Sequence, residues 1–487
     1  MCLLMLALGV FVGIIFGSIP GLTATLGVTL FIPFTYTLAA VQGLTLLIAV
    51  YVGGISGGLI TATLINIPGT PSSIYTCFDG YPMTKKGKPA EALAIGVFCS
   101  LIGGSFSAIA LMGIAPQLAK VSLSFGSWEY FAIALMGLSV VVAMCSDSLI
   151  KGLIGAVFGL LIGTVGIDSI SGVSRLTFGF WQLQGGISST ALMMGLFAIT
   201  EVFNQSLELD KPRPKIEFKK STLIPPLSEM KSCWKAIGIG CVVGTGIGIL
   251  PGIGQNASTL ISYNLSRTVS KTPEEFGHGC PEGICASETS NNGLTGGALV
   301  PLLSLGIPGD STTAVLIGAF MLQGIQVGPL FITNNPVIWN TILVALLCCN
   351  ILMYLVMFFP VKLLAKIVLI PQERLYPVVL MMCTVGAYAT LNGRMFDVWC
   401  LLLFGIVGLL IKKFHFPVSC FLIGFILGGD LEDYFIQVLT AYNGSLTGLF
   451  VRPMGWVIWA LIILSVVYAV LDNRKAKRQE KELSGKQ

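Results

Sequence analysis

Apolar runs of roughly 17 to 25 residues, the length that carries an α-helix across a lipid bilayer, recur from one end of this chain to the other. In hydrocarbon every backbone amide and carbonyl needs a partner. Runs of this length meet that need as helices, whereas a barrel shows short alternating strands. Composition agrees: 54% of the 487 residues are hydrophobic and only 10% are charged, against about 25% charged in soluble domains. The expected fold class is an all-α polytopic membrane protein with about 11–13 membrane segments. Its 58 glycines and 23 prolines suit close helix packing and broken helices. The net charge of +5 sits in loops and reads as topology information for a chain in a lipid bilayer, with no nucleic-acid partner.

Four of the apolar runs are interrupted. Asn66-Ile67-Pro68-Gly69-Thr70-Pro71-Ser72-Ser73 breaks one with two prolines, a glycine and a cluster of hydroxyls, and Gly306-Ile307-Pro308-Gly309-Asp310-Ser311-Thr312-Thr313 is a near copy in the other half. Each is preceded by a glycine pair, Gly57-Gly58 and Gly296-Gly297, and by an earlier break, Gly17-Ser18-Ile19-Pro20-Gly21 and Gly248-Ile249-Leu250-Pro251-Gly252. Two similar breaks in the same order in both halves make an internal repeat. Interrupted apolar segments at matching places in two halves point to a transporter's binding site.

The chain then divides as follows. Residues 1–204 form a first half, with a broken-helix core at 1–90 and further spans at 91–204. Residues 205–234 form a cytoplasmic linker in which Lys211, Arg213, Lys215, Lys219, Lys220 and Lys231 alternate with prolines. Residues 235–471 form the second half, with its core at 235–334 and further spans at 335–471, and 472–487 is a basic tail. Polar loops are expected at Asp79 to Lys88, where Asp79 with Pro82 reads as a turn or cap, and around Glu274, Glu275, His278, Glu282 and Glu288. The chain opens directly into apolar sequence without a signal-peptide pattern, so its first segment is expected to stay in the membrane.

Placing the basic loops 85–88, 211–235, 362–374 and 412–413 and the tail in the cytoplasm requires even numbers of spans between them, which the countable intervals provide. The first core then ends inside at Lys85 to Lys88, and the second ends outside at the uncharged loop Gln323 to Pro336. The two repeats are therefore expected to be inverted, with re-entrant hairpins at the Pro-Gly breaks, an arrangement that supports alternating access.

A helix that starts inside the membrane just after Pro-Gly presents unpaired N–H groups and the positive end of its dipole, and so can bind an anion. The candidate substrate residues are therefore Pro20, Gly21, Pro68, Gly69, Thr70, Ser72 and Ser73 in one half, and Gly252, Gly254, Pro308, Gly309, Ser311, Thr312 and Thr313 in the other. Asn66, Asn256 and Asp310, with carbonyls freed at the breaks, are candidates for a coupling ion. Asp310 has three readings: proton carrier, cation ligand or helix cap. Glu288, Asn291 and Asn292 belong either to the site or to loop packing. The bland reading of any single break is a kink that shapes the bundle.

The residues also resemble a known family, the large membrane subunit (TctA family) of bacterial tripartite tricarboxylate transporters. The resemblance runs from about Gly9 to beyond Leu330, after which the match is mainly one of hydrophobicity. It rests on Gly17 to Gly21 with Gly27-Val28, Asn66-Ile67-Pro68-Gly69, Asp79-Gly80-Tyr81-Pro82-Met83 and Leu250 to Asn256. Phe276-Gly277, Glu282-Gly283, Glu288 with Asn291-Asn292, and Gly306-Ile307-Pro308-Gly309 complete the set. Relatives usually carry a longer N-terminal lead. The resemblance implies a secondary transporter in the bacterial inner membrane, with a cytoplasmic C-terminus. It would be driven by sodium or protons and would work with a small membrane subunit and a periplasmic solute-binding protein that delivers a carboxylate such as citrate. It implies no cofactor and no enzymatic activity.

Two other functions compete. One is a passive anion channel. The other is a metal-dependent membrane enzyme built on His278, Cys280, Glu282, Cys285 and Glu288, although their spacing matches no zinc pattern and the 13 cysteines read mainly as small buried hydrophobes. An ATP-driven pump is disfavoured because the chain has no phosphate-loop motif.

Overall fold

The computed structural model describes residues 1–19, 21–143, 149–168, 171–206, 227–251, 254–358, 372–390 and 394–450, with 455, 456, 458–460, 462, 463, 466 and 467. In chain order the helices are α1 (Cys2–Ser18), α2 (Ala24–Thr35), α3 (Ala40–Ile65), α4 (Ile74–Lys85), α5 (Pro89–Ser122), α6 (Ser127–Ala143), α7 (Leu149–Gly163), α8 (Ser189–Met193), α9 (Thr200–Ser206) and α10 (Leu227–Ser232). They continue as α11 (Trp234–Ile249), α12 (Gly254–Val269), α13 (Pro281–Leu305), α14 (Ser311–Leu322), α15 (Phe331–Asn334), α16 (Pro336–Phe358), α17 (Gln372–Thr390), α18 (Met395–Lys413) and α19 (Val418–Ala441). The only strands among the described residues are a short hairpin, Gly166–Ile167 with Ser174–Arg175. The protein is an all-α polytopic membrane protein. Four of its described helices, α3, α5, α16 and α18, are long and apolar enough to cross a bilayer, and seven shorter apolar helices accompany them.

Two compact units are present: Met1–Ala119 with Phe197–Gly393, and Lys120–Leu196 with Arg394–Gln487. Both copies of the repeat lie in the first. There α1, α2, α3 and α4 correspond in order and breaks to α11, α12, α13 and α14. The long helices end in the same way, at a residue in the left-handed conformation: Asn66 (φ 57°) for α3 and Gly306 (φ 77°) for α13. That conformation turns the chain, at Gly306 the cap amide also donates to the Leu302 carbonyl, and Pro68 and Pro308 follow where a proline cannot continue a helix.

Within each copy the first helix packs along the third. Glycines make this possible. A Cβ on Gly17 would lie 2.0 Å from the Gly54 carbonyl oxygen, and one on Gly13 would lie 2.4 Å from that of Val50. On α11, a Cβ on Gly244 would lie 2.5 Å from the Ser290 carbonyl oxygen. Gly9, Gly13 and Gly17 on α1 and Gly240, Gly244 and Gly248 on α11 are the same four-residue ridge, which lets backbones meet where lipid supplies no hydrophobic drive. In the second unit α7 repeats the device, since a Cβ on Gly159 would lie 1.9 Å from the Phe421 carbonyl oxygen of α19.

The two copies are inverted. Tyr51, in the first half of α3, meets Asp310 just past the end of α13. Ser56 meets Asn292 midway. Thr76 and Asp79, beyond the end of α3, meet Glu288 and the loop that precedes α13. Matching helices thus run in opposite directions through one bundle, as the loop-charge argument expected.

Some expected boundaries move. The loop expected from Asp79 to Lys88 is helical through Lys85, the end of α4. Glu282 and Glu288, assigned to a loop, lie on α13, because Pro281 occupies its first turn and starts the helix early. The end of the linker is helical at α10. Residues 207–226, Pro20, Gly252 and the tail 472–487 lie outside the described residues.

Candidate functional site

At the first break the hydroxyls turn inward and Asn66 turns outward. Thr70, Ser72 and Ser73 are buried, and the Thr70 Oγ1 lies 3.1 Å from Ser72 Oγ and 2.7 Å from Ser73 Oγ. They cover Gly58, where a Cβ would lie 2.3 Å from Ser73 Oγ, so the glycine makes room for the hydroxyl cluster. Buried Gly69 packs on the end of α1, with its Cβ position 2.2 Å from the Gly17 carbonyl oxygen. Exposed Asn66 and half-buried Pro68 line a cavity of about 440 Å³ with Phe78, Tyr81 and Lys85 of α4.

At the second break Asp310 caps α14. Its Oδ1 accepts from the Thr313 amide at 2.7 Å, and its own amide donates to Thr313 Oγ1 at 2.8 Å, which closes a capping box. Its Oδ2 accepts from the Tyr51 hydroxyl at 2.7 Å and from the Gln255 amide at 3.1 Å. Both carboxylate oxygens are therefore engaged. Pro308, Gly309, Thr312 and Thr313 are buried and Ser311 is half-buried. The Thr312 Oγ1 lies 2.8 Å from Thr25 Oγ1 on the first turn of α2.

The inversion gives that last contact a counterpart. Counted from the Pro-Gly breaks, Thr25 corresponds to Asn256 and Thr312 to Ser72. The turn at Pro71–Ser73 packs against α12, whose first turn carries exposed Asn256, and Gly254 opens that helix with a positive φ of 77°. Gly21, with φ 90°, turns the chain three residues before α2. Each break thus packs against the short helix of the opposite repeat.

Helix α13 carries the polar residues between the breaks. Glu288, Asn291 and Asn292 are fully buried. Asn292 accepts from Ser56 at 2.6 Å and donates to the Glu288 carbonyl at 3.1 Å, and the Glu288 carboxylate accepts from Thr76 at 2.5 Å and from Ser100 at 3.2 Å. Asn291 differs, since neither its oxygen nor its nitrogen has a partner among the described residues. It shares a face of α13 with Ser287, which meets Thr76 just past the first break, and with Ala298, against which Gly309 of the second break packs. A buried amide with two open donors and an open acceptor is costly unless something occupies the gap.

The sequence did not single out Tyr51, Thr25, Thr76 or Ser100, and Gln255 stood only within the motif Leu250 to Asn256. Only Tyr51 carried a usable signal, a phenol inside an apolar run, because a buried tyrosine hydroxyl finds a partner. Asp79 is neither a turn nor a cap. Its Oδ1 accepts from the amides of Gly277, Gly279 and Cys280 at 2.8–2.9 Å, and its Oδ2 from the Tyr263 hydroxyl at 2.7 Å, which pins α4 to the loop before α13.

Three of the five residues of the metal alternative go to separate neighbours. Cys280 packs with Tyr263 and Phe276, Cys285 lies among apolar residues with Cys99 and Cys233, and Glu288 meets Thr76 and Ser100. Among the described residues no group of three or more His, Cys, Asp or Glu side chains gathers to hold a metal.

Comparison with known proteins agrees with the architecture. The chain is 34% identical over 472 residues, 97% of its length and 94% of the relative's, to an uncharacterised 52.8 kDa protein in the TAR-I ttuC′ 3′ region of Agrobacterium vitis. It is 32% identical over 237 residues, 49% of its length and 98% of the relative's, to an uncharacterised protein in the TAR-II ttuC′ 3′ region of the same organism. No solved structure matches. Residues 3–423 match the tripartite tricarboxylate transporter TctA family, and with two inverted broken-helix repeats in an all-α membrane fold, the chain belongs to that family.

Proposed function

We propose that this chain is the permease subunit of a binding-protein-dependent secondary transporter that imports tricarboxylates or related carboxylates by alternating access. The observation that carries the reading is the pair of inverted breaks, each with buried hydroxyls at a helix start and each abutting the short helix of the other repeat. Helix N-termini and hydroxyls bind carboxylates without a buried cation. Thr70, Ser72 and Ser73 with Ser311, Thr312 and Thr313 are the proposed anion contacts, helped by the backbone at Gly21, Gly69, Gly254 and Gly309. The open amide of Asn291, between the breaks, adds two donors. A sodium ion would be met by Asn66, Asn256 and freed carbonyls, whereas a proton needs a carboxyl.

In this reading the chain lies in the bacterial inner membrane with its C-terminus in the cytoplasm. It works with a small membrane subunit and with a periplasmic binding protein that delivers a carboxylate such as citrate. Reconstitution with both partners tests it. Radiolabelled citrate should accumulate above its external concentration under an imposed cation gradient and stop doing so when ionophores collapse that gradient. Uptake that is indifferent to the gradient would favour a passive channel.

A further inference from the structure

Three carboxylates are buried around α13, and their hydrogen-bond donors differ in kind. Asp79 is held by three backbone amides and a phenol, and Asp310 by a backbone amide, a side-chain amide and two hydroxyls. An N–H group only donates, so those settings favour a permanent carboxylate. Glu288 is different. Its two partners, Thr76 and Ser100, are hydroxyls, which can donate or accept.

We infer that Glu288 is the group that carries the coupling proton, exchanging it through the hydroxyl pair Thr76 and Ser287. This rests on the transporter reading above and names its coupling ion. The Ser287 hydroxyl donates to the Gly283 carbonyl at 3.0 Å, which leaves its lone pairs open, and its Oγ lies 3.1 Å from Thr76 Oγ1. When Glu288 is ionised, the Thr76 hydroxyl points at its Oε1. When Glu288 is protonated, its new O–H donates to Thr76 Oγ1, and the Thr76 hydrogen turns to Ser287. Both states are satisfied without moving a heavy atom. The proton comes from water on the periplasmic side, forms an O–H bond on the carboxylate, and leaves to water on the cytoplasmic side. No bond other than that O–H is made or broken.

Among the described residues no competing charge faces Glu288. Cys77 of α4 is the titratable group facing Glu288. Tyr51 of α3 is held by Asp310, Tyr263 of α12 by Asp79, and Cys99 of α5 lies beside Cys285 and Cys241 of α11. No basic side chain pairs with Glu288 among the described residues. Thr76 stands just beyond Ser73, so displacing α4 from α13 would open Glu288 and the first break together. This links proton access to the movement that admits the substrate.

The test uses the transporter reconstituted with its partner subunits, with radiolabelled citrate as probe. If one proton moves per substrate, an inside-alkaline gradient of about one pH unit supports roughly tenfold accumulation. Wild type should accumulate to that extent and acidify a pH dye trapped in the vesicles. Glu288→Gln should still exchange internal for external citrate but show neither response. Gradient-driven accumulation by Glu288→Gln equal to wild type would overturn the inference, as would wild type driven by sodium with no acidification. If Glu288→Gln does not assemble, the dye measurement on wild type still decides, and Ser287→Ala should slow the proton-coupled step relative to exchange. Wild type that exchanges no carboxylate at all would instead defeat the functional reading itself.

Discussion

Tyr51 and Asp310, 259 residues apart in sequence, share a hydrogen bond of 2.7 Å. Through it the middle of one repeat's long helix holds the capping carboxylate of the other repeat's break. Tyr51→Phe removes one donor from a buried carboxylate and keeps the ring's packing. It should cost about 1–3 kcal/mol, read as a lower midpoint in thermal unfolding of the purified protein. An unchanged midpoint would mean that the bond holds nothing.

The glycine ridges separate two kinds of glycine. Gly17→Ala and Gly244→Ala would each place a Cβ within 2.5 Å of a backbone carbonyl oxygen, and neither backbone can yield cheaply. Gly113 and Gly246 have nothing within 4 Å of the same position. The first pair should lose most folded protein on size-exclusion chromatography. The second pair should match or exceed wild type, because alanine is the better helix former by about 1 kcal/mol.

Asp79→Ala would strip the acceptor from the amides of Gly277, Gly279 and Cys280 and from Tyr263. At about 1–3 kcal/mol for each buried group left unsatisfied, the loop before α13 should open. Hydrogen exchange at residues 277–280 should rise strongly while α16 stays protected. Equal protection in both would refute the pinning role.

Inversion and loop charge together predict sidedness. A reporter fused after Thr333 should lie outside, and one fused after Lys86 should lie in the cytoplasm. Finding both on one side would contradict the proposed topology.

The repeat, its breaks and its inversion were legible in the sequence because each rests on local chemistry: prolines and glycines stop helices, and loop lysines mark sides. The helical extent of α4 was hidden, because Asp79, Gly80 and Pro82 read as loop residues until Tyr263 and the 277–280 amides are seen to receive the carboxylate. The partners of Asp310 were hidden for a related reason. Tyr51 reaches Asp310 only when two inverted copies interlock, which no spacing within one copy encodes, and Gln255 reaches it across 55 residues of its own copy. The ridges on α1, α7 and α11 were present as plain four-residue spacings among many glycines, and only the packing distinguishes Gly17 from Gly113.

Carboxylate import by this chain requires, above all, that the two breaks hold one carboxylate anion between them. The decisive measurement is the initial rate of radiolabelled citrate uptake by the reconstituted three-component transporter, with Ser72→Ala and Ser311→Ala alone and combined. A hydroxyl bonded to a charged group contributes about 1.5–3 kcal/mol, so each single change should slow uptake roughly tenfold or more, and the combined change should all but abolish it. Uptake at the wild-type rate in the combined variant, with the protein folded and assembled, would contradict the site.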